Sequence, residues 1–189
     1  MPHWDDSHSC SSCSSSSSSE EEEPIHTTTK TTTTTTTTRA PTTTIPPEIP
    51  CLLEGTEVKT IHGYVPIERI LVGEKLISDF GKEIKVAKVG KWLKTFEEAP
   101  QDLSNIVYKI PKGEYGAQSD VFITHNHRFL DQKQWILRLP YKVGLARAKR
   151  SEIVKDNQNN TYTLYHIRME NTDDNFVVNG GCVVESWKT

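Results

Sequence analysis

Cys51-Leu52-Leu53-Glu54-Gly55-Thr56-Glu57-Val58-Lys59-Thr60 is the stretch on which the reading of this chain turns. Ahead of it, residues 7–19 are nearly all serine, residues 20–23 are four glutamates and residues 27–44 are mostly threonine. Such a composition has too little apolar surface to offset the entropy lost when a backbone is ordered. Residues 1–50 are therefore expected to form a disordered, low-complexity Ser/Glu/Thr-rich tail. Behind it, apolar residues come in short runs separated by turn residues. Cys51 lies on the border. A thiol that opens a folded domain, with a disposable chain hanging from its amino group, is placed to attack the peptide bond between the two. Ile45-Pro46-Pro47-Glu48-Ile49-Pro50 forms a stiff, extended lead into that bond.

Downstream, Val58 and Ile61 precede a turn at His62-Gly63, and Val65, Ile67 and Ile70 precede Gly73. Ile84, Val86 and Val89 follow a turn at Asp79-Phe80-Gly81, and further apolar runs cover 105–110, 120–130, 162–167 and 176–187. Many short strands at near-regular spacing, bounded by Gly, Asn and Asp, predict an all-β domain over residues 51–189. That length buries an adequate core without metal or disulfides. Residues 95–104 and 140–160 read as loops or a short helix. Lys82, Lys85, Lys88, Lys91 and Lys94 recur every third residue and read as the solvated face of a twisted hairpin.

Charge is split unevenly. The net charge of −3 is the sum of −5 over residues 1–50 and +2 over the rest, so neither part is basic enough for nucleic-acid binding to be its main task. No apolar run is long enough to cross a bilayer, and Pro2-His3-Trp4-Asp5-Asp6 does not open a signal peptide. No membrane partner is expected, and nothing marks a compartment. Four cysteines, Cys10, Cys13, Cys51 and Cys182, are too few and too scattered for a disulfide framework. The Cys10-x-x-Cys13 pair, with His3 and His8 nearby, lacks the second pair that structural zinc needs, and His62, His125 and His127 have poor spacing for a metal set. Neither metal nor cofactor is expected. The threonine run reads as a spacer, or as a sugar-coated stalk.

The block Cys51-x-x-x-Gly55-Thr56-x-Val58-x-Thr60-x-x-Gly63-Tyr64-x-Pro66-Ile67-Glu68-x-Ile70-x-x-Gly73-Glu74 resembles the opening block of the Hint domain. This is the self-processing module shared by hedgehog proteins and inteins. Thr124-His125-Asn126-His127 is similar to the family's T-x-x-H block, Tyr165-His166-Ile167 and Asn175-Phe176-Val177-Val178 to its penultimate strand pair, and Val177 to Ser186 to its closing block. The blocks stand in family order across residues 51–189. The resemblance implies a compact, pseudo-symmetric all-β fold.

Exchange of an amide for a thioester runs uphill and needs help. The thiol must lose its proton, since a free cysteine has a pKa of about 8.5. The leaving nitrogen must gain one, which a histidine can give, and a twisted amide makes both easier. The resemblance implies Cys51 as nucleophile, with Thr124 and His127 supplying the polarising hydrogen bond and the proton at the Pro50–Cys51 bond. The substrate is then the chain's own amino-terminal segment, cut once in cis, and water or an unknown nucleophile resolves the thioester. Splicing inteins end in His-Asn followed by Cys, Ser or Thr, whereas Glu185, Ser186 and Trp187 stand here, so splicing is not expected. Trp187 replaces a second hedgehog cysteine, and sterol transfer has no support. Pro50 restricts the carbonyl to be attacked, and His166, a weaker site candidate, stands where many relatives have an acid. Cys182 is a further weak candidate, able to contact or pair with Cys51 if the first and last strands meet, or else a small buried hydrophobe. Two functions follow: autocatalytic cleavage, or a catalytically degenerate Hint domain serving as a structural or protein-interaction module.

Overall fold

From Leu52 onward nearly every ordered segment is a strand, as the short apolar runs require. The computed structural model describes residues 49–156 and 158–188, so the expected tail lies outside the described residues except for Ile49 and Pro50. The strands are β1 (Leu52–Leu53), β2 (Glu57–Thr60), β3 (Gly63–Pro66), β4 (Lys75–Ile77), β5 (Glu83–Thr95) and β6 (Val107–Ile110). They continue with β7 (Val121–Thr124), β8 (Phe129–Asp131), β9 (Ile136–Arg138), β10 (Thr161–Met169), β11 (Asn175–Val178) and β12 (Cys182–Glu185). Single 3-10 turns occupy Ile67–Arg69, Leu103–Asn105 and Pro140–Val143, and one short α-helix spans Arg150–Ile153. The weakly patterned stretches 95–104 and 140–160 thus hold loops and these short helical turns. No helix among the described residues is long and apolar enough to cross a membrane.

The strands form one curled antiparallel sheet in the order β6-β7-β1-β10-β5-β4-β2-β11-β12-β8-β9, with β3 added to β2. β5 joins its two parts: its first residues pair with β4 (Ile77↔Glu83, Lys75↔Lys85) and the remainder with β10 (Arg168↔Lys88 to Thr161↔Thr95). β1 is buried on both faces. Leu52 enters the main core with Ile123, Phe129, Ile167 and Phe176, while Cys51 and Leu53 turn the other way into a second cluster with Val107, Ile153, Tyr162 and Leu164. That split is the period of two expected of a strand.

Two apolar runs are each divided in the structure. The run 120–130 becomes β7 and β8 with the His125-Asn126 turn between them. The run 176–187 becomes β11 and β12 around Asn179-Gly180, whose φ angles of 43° and 86° suit the Asn-Gly preference of a tight hairpin turn. Asn179 also ties distant segments together: its Oδ1 accepts the Glu57 N–H at 2.8 Å and its Nδ2 donates to the Asp120 carbonyl at 2.7 Å.

The lysine row is not one solvated face. A register shift in β5 between Val86 and Lys88 leaves Lys85, Lys88 and Lys94 on one side and Lys91 on the other. Lys88 Nζ lies 4.9 Å from the centre of the Trp187 ring, and Lys94 Nζ lies 5.4 Å from that of Trp92. The first and last strands do not pair either, because β1 lies between β7 and β10, and β12 between β11 and β8. Cys51 and Cys182 are accordingly free thiols buried in different clusters, not a disulfide.

Candidate active site

The site is assembled by the register between β1 and β7. Leu52 pairs with Ile123, and one residue further out the Thr124 N–H donates to the Cys51 carbonyl at 3.0 Å. This sets the threonine side chain beside the Pro50–Cys51 amide, so that the Cys51 N–H donates to Thr124 Oγ1 at 2.9 Å. The Thr124 hydroxyl in turn donates to Asn126 Oδ1 at 2.8 Å, which leaves an oxygen lone pair aimed at the Cys51 nitrogen. A turn closed by the His127 N–H on the Thr124 carbonyl at 3.0 Å then brings the imidazole back over the same segment. Its Nδ1 lies 3.0 Å from the Cys51 carbonyl oxygen and its Nε2 lies 3.2 Å from the Glu185 carbonyl oxygen. The Cys51 thiol donates to the Ile49 carbonyl at 3.2 Å, across the Pro50 unit that it would attack.

Burial dominates the electrostatics. It pushes the Cys51 thiol up to about 12, opposed by the positive charge of Lys94. It also holds His127 below the usual histidine range, against the two carbonyl oxygens and the Glu185 carboxylate that favour the cation. The resting site therefore contains a thiol rather than a thiolate, and a neutral ring able to take a proton at one nitrogen and give one at the other.

Replacing Thr124 with valine keeps the shape and removes the acceptor. The buried Cys51 N–H is then unsatisfied, at a cost of about 1–3 kcal/mol. Thermal or urea unfolding of Thr124→Val is expected to show a loss of that size, and thiol-induced cleavage at residue 51 is expected to slow with it.

The sequence profile of the Hint domain matches residues 50–189. The chain belongs to the Hint-domain family. The match begins at the residue before Cys51, and the fold is that of a self-processing domain. A crystal structure of the MchDnaB-1 intein, in a variant form, is 13% identical, with 72% of this chain and 99% of that one covered at a TM-score of 0.50. The Msm DnaB1 intein splicing domain, solved with zinc bound, is 13% identical over 71% of this chain and 98% of its own, at a TM-score of 0.49. The bacterial intein-like domain from Clostridium thermocellum is 17% identical over 72% and 98%, at a TM-score of 0.43. At such identities the first of these supports the fold alone. No curated protein matches the sequence.

In this Hint domain the other two candidate residues have separate surroundings. Leu53 pairs with Leu164 and Leu52 with Tyr165, so the same register carried one step further puts His166 opposite Cys51. Cys51, Leu53, Leu164, His166, Trp92 and Lys94 therefore share one face of the sheet. The His166 ring lies edge-on to Trp92 (centroids 5.8 Å) and to Trp187 (5.0 Å), and its Nδ1 has no hydrogen bond among the described residues. Burial, then the charge of Lys88, lowers its pKa. Cys182 sits on β12, paired with Val178 and packed in the main core.

Asn126, Lys94 and Gly90 belong to this neighbourhood and are not among the site candidates named from the sequence. Asn126 sits inside the T-x-x-H block and orients its threonine. Lys94 was hidden in the lysine row. Gly90, a lone glycine in a strand pattern, is the usual sign of close approach, and here it faces His166.

Because both His127 and His166 have depressed pKa values in the folded chain, the unfolded chain binds more protons between the folded and unfolded values. Their contribution to stability is complete above the unfolded value of about 6.5 and is lost as pH falls below it. Urea unfolding from pH 7.5 to 5 is expected to show falling stability, with a slope approaching about 1.4 kcal/mol per pH unit for each histidine. His166→Gln should make that slope shallower.

Proposed function

We propose that this Hint domain cleaves its own chain once, at Pro50–Cys51, through an N-to-S acyl shift. Cys51 Sγ attacks the Pro50 carbonyl carbon, the C–N bond to Cys51 breaks, and the thiol proton ends on the freed nitrogen, leaving a thioester and an amine. The observation that carries this reading is the Cys51 N–H held on Thr124 Oγ1 at 2.9 Å. The group closest to the leaving nitrogen is then a hydroxyl whose own proton is parked on Asn126. Rotation of that hydroxyl delivers a hydrogen bond to the nitrogen as it becomes pyramidal. His127 is directed at the Cys51 carbonyl rather than at the nitrogen. Its part is to fix the Cys51 unit and to hold the migrating proton, for which a neutral buried imidazole is suited.

The product is resolved by water or an added nucleophile, and residues 1–50 come away as the substrate in cis. Intact mass before and after hydroxylamine or dithiothreitol tests it. A new fragment beginning at residue 51 is expected, and full-length mass surviving prolonged treatment would refute the cleavage.

A second reading, a degenerate Hint domain acting as a structural or protein-interaction module, is favoured by one set of observations. The thiol is pushed up to about 12. It donates to the Ile49 carbonyl instead of a side-chain base, and a caged histidine occupies the position of an activating acid. The same mass measurement separates the two readings.

A further inference from the structure

The flank of the Pro50–Cys51 bond is a cleft of about 240 Å³ lined by Pro50, Asn126, Arg128, Glu185 and Lys188. We propose that it binds the nucleophile that resolves the thioester, and that this nucleophile is a small thiol or amine bearing a carboxylate. The inference rests on the cleavage reading above.

Three features of the cleft support it. First, it touches the acyl residue itself and Asn126, the residue that orients Thr124. A molecule held there lies next to the carbonyl that must be attacked. Second, Arg128 follows directly on His127, and its backbone is fixed on both sides: its N–H donates to Glu185 Oε1 at 3.0 Å and its carbonyl accepts the Glu185 N–H at 3.1 Å. The guanidinium therefore projects from a rigid base. It is exposed and has no ion pair among the described residues. A planar guanidinium with that freedom suits a carboxylate, which it can grip through two parallel hydrogen bonds. Third, Lys188 supplies a second cation at the rim. Its link to Asp173 at 2.7 Å is between half-exposed and exposed groups, a pairing worth about 0–1 kcal/mol that a ligand can displace. Among the described residues, Glu185 is the only acid lining the cleft, and its Oε1 is engaged by the Arg128 N–H. The two cations outweigh it.

The step balances without a further reagent. The nucleophile's sulfur or nitrogen bonds to the Pro50 carbonyl carbon, the C–S bond to Cys51 breaks, and the proton lost by the nucleophile returns to the Cys51 sulfur.

The test compares 3-mercaptopropionate with its amide, 3-mercaptopropionamide, at equal thiolate concentration, following the fragment that begins at residue 51 by intact mass. The acid is expected to release the tail about fivefold faster below saturation, the size of one charge-assisted contact. Arg128→Gln is expected to lower the ratio of the two rates most of the way to one on loss of that contact, leaving the share held by Lys188. Taking the ratio within each variant cancels any change in thioester formation. Should Arg128→Gln fail to fold, Lys188→Gln, expected to lower the ratio in part, carries the same comparison. Equal rates for acid and amide in the unaltered protein would overturn the assignment, as would a ratio unmoved in both variants. So would release by hydroxylamine but by neither thiol. Absence of release by any of the three reagents would overturn the cleavage reading itself, and the assignment with it.

Discussion

Cys51→Ala is expected to keep full-length mass through prolonged thiol and hydroxylamine treatment under conditions in which the unaltered chain is cut before residue 51. In the proposed acyl shift the sulfur is the atom that accepts the acyl group, so its removal would abolish the reaction instead of slowing it. Folding should survive. Cys51 is fully buried, but the lost sulfur has about the bulk of a methylene group, worth about 0.8 kcal/mol. The hydrogen bonds to Thr124 and His127 use the Cys51 backbone and remain available. Circular dichroism and urea unfolding of the variant are therefore expected to be near those of the parent. Cleavage that persists in Cys51→Ala would remove Cys51 from the chemistry altogether.

Gly90→Ala is expected to be the most disruptive single methyl addition on the catalytic face. A Cβ at that position would stand 2.0 Å from His166 Nε2 and 2.2 Å from its Cε1. The histidine has little room to withdraw, since Trp92 and Trp187 meet its ring edge-on from neighbouring strand and terminal segments. Overpacking of this kind costs about 3 kcal/mol, the upper end for an inserted methyl group. In a domain of this length that lowers the melting temperature by about 10 °C. Gly90→Ala combined with His166→Ala should recover most of the loss, because the clash has a single partner. A double variant no more stable than Gly90→Ala alone would show that the strand backbone, and not the ring, resists the methyl group.

These two residues also mark how much could be read from the chain beforehand. The all-β fold was legible because short apolar runs stand between turn formers, with Val58, Ile84 and Val86 flanked by polar residues, and strand pairing honours that period. The Hint resemblance rested on spacing within blocks, and spacing survives when most other residues differ. Thr124 and His127 were likewise found by spacing. What spacing could not supply is direction. Whether the imidazole faces the nitrogen or the carbonyl of Cys51 depends on the register of β1 against β7 and on where β12 passes, which are contacts between residues that lie 58 to 76 positions apart. The lysine row misled for the opposite reason. Its repeat is regular, but strand alternation, interrupted once by the register shift in β5, divides its members between two faces, and Lys94 ends on the Cys51 side. The division of 176–187 at Asn179-Gly180 was visible in the residue types, and its further use as a tie to Glu57 and Asp120 was not.

One arrangement in the site has a consequence for the whole domain. Both nitrogens of His127 face carbonyl oxygens, that of Cys51 at the start of the fold and that of Glu185 near its end. A neutral imidazole has one N–H for two acceptors, so the ring holds only one of the two oxygens at a time, and moving the proton from one nitrogen to the other transfers the bond between the two ends of the domain. The first and last segments are thus in communication through a single hydrogen. In the proposed acyl transfer, a ring that took up a second proton would grip both oxygens at once, so the moment of reaction would be the moment at which the two ends of the domain are held most firmly together.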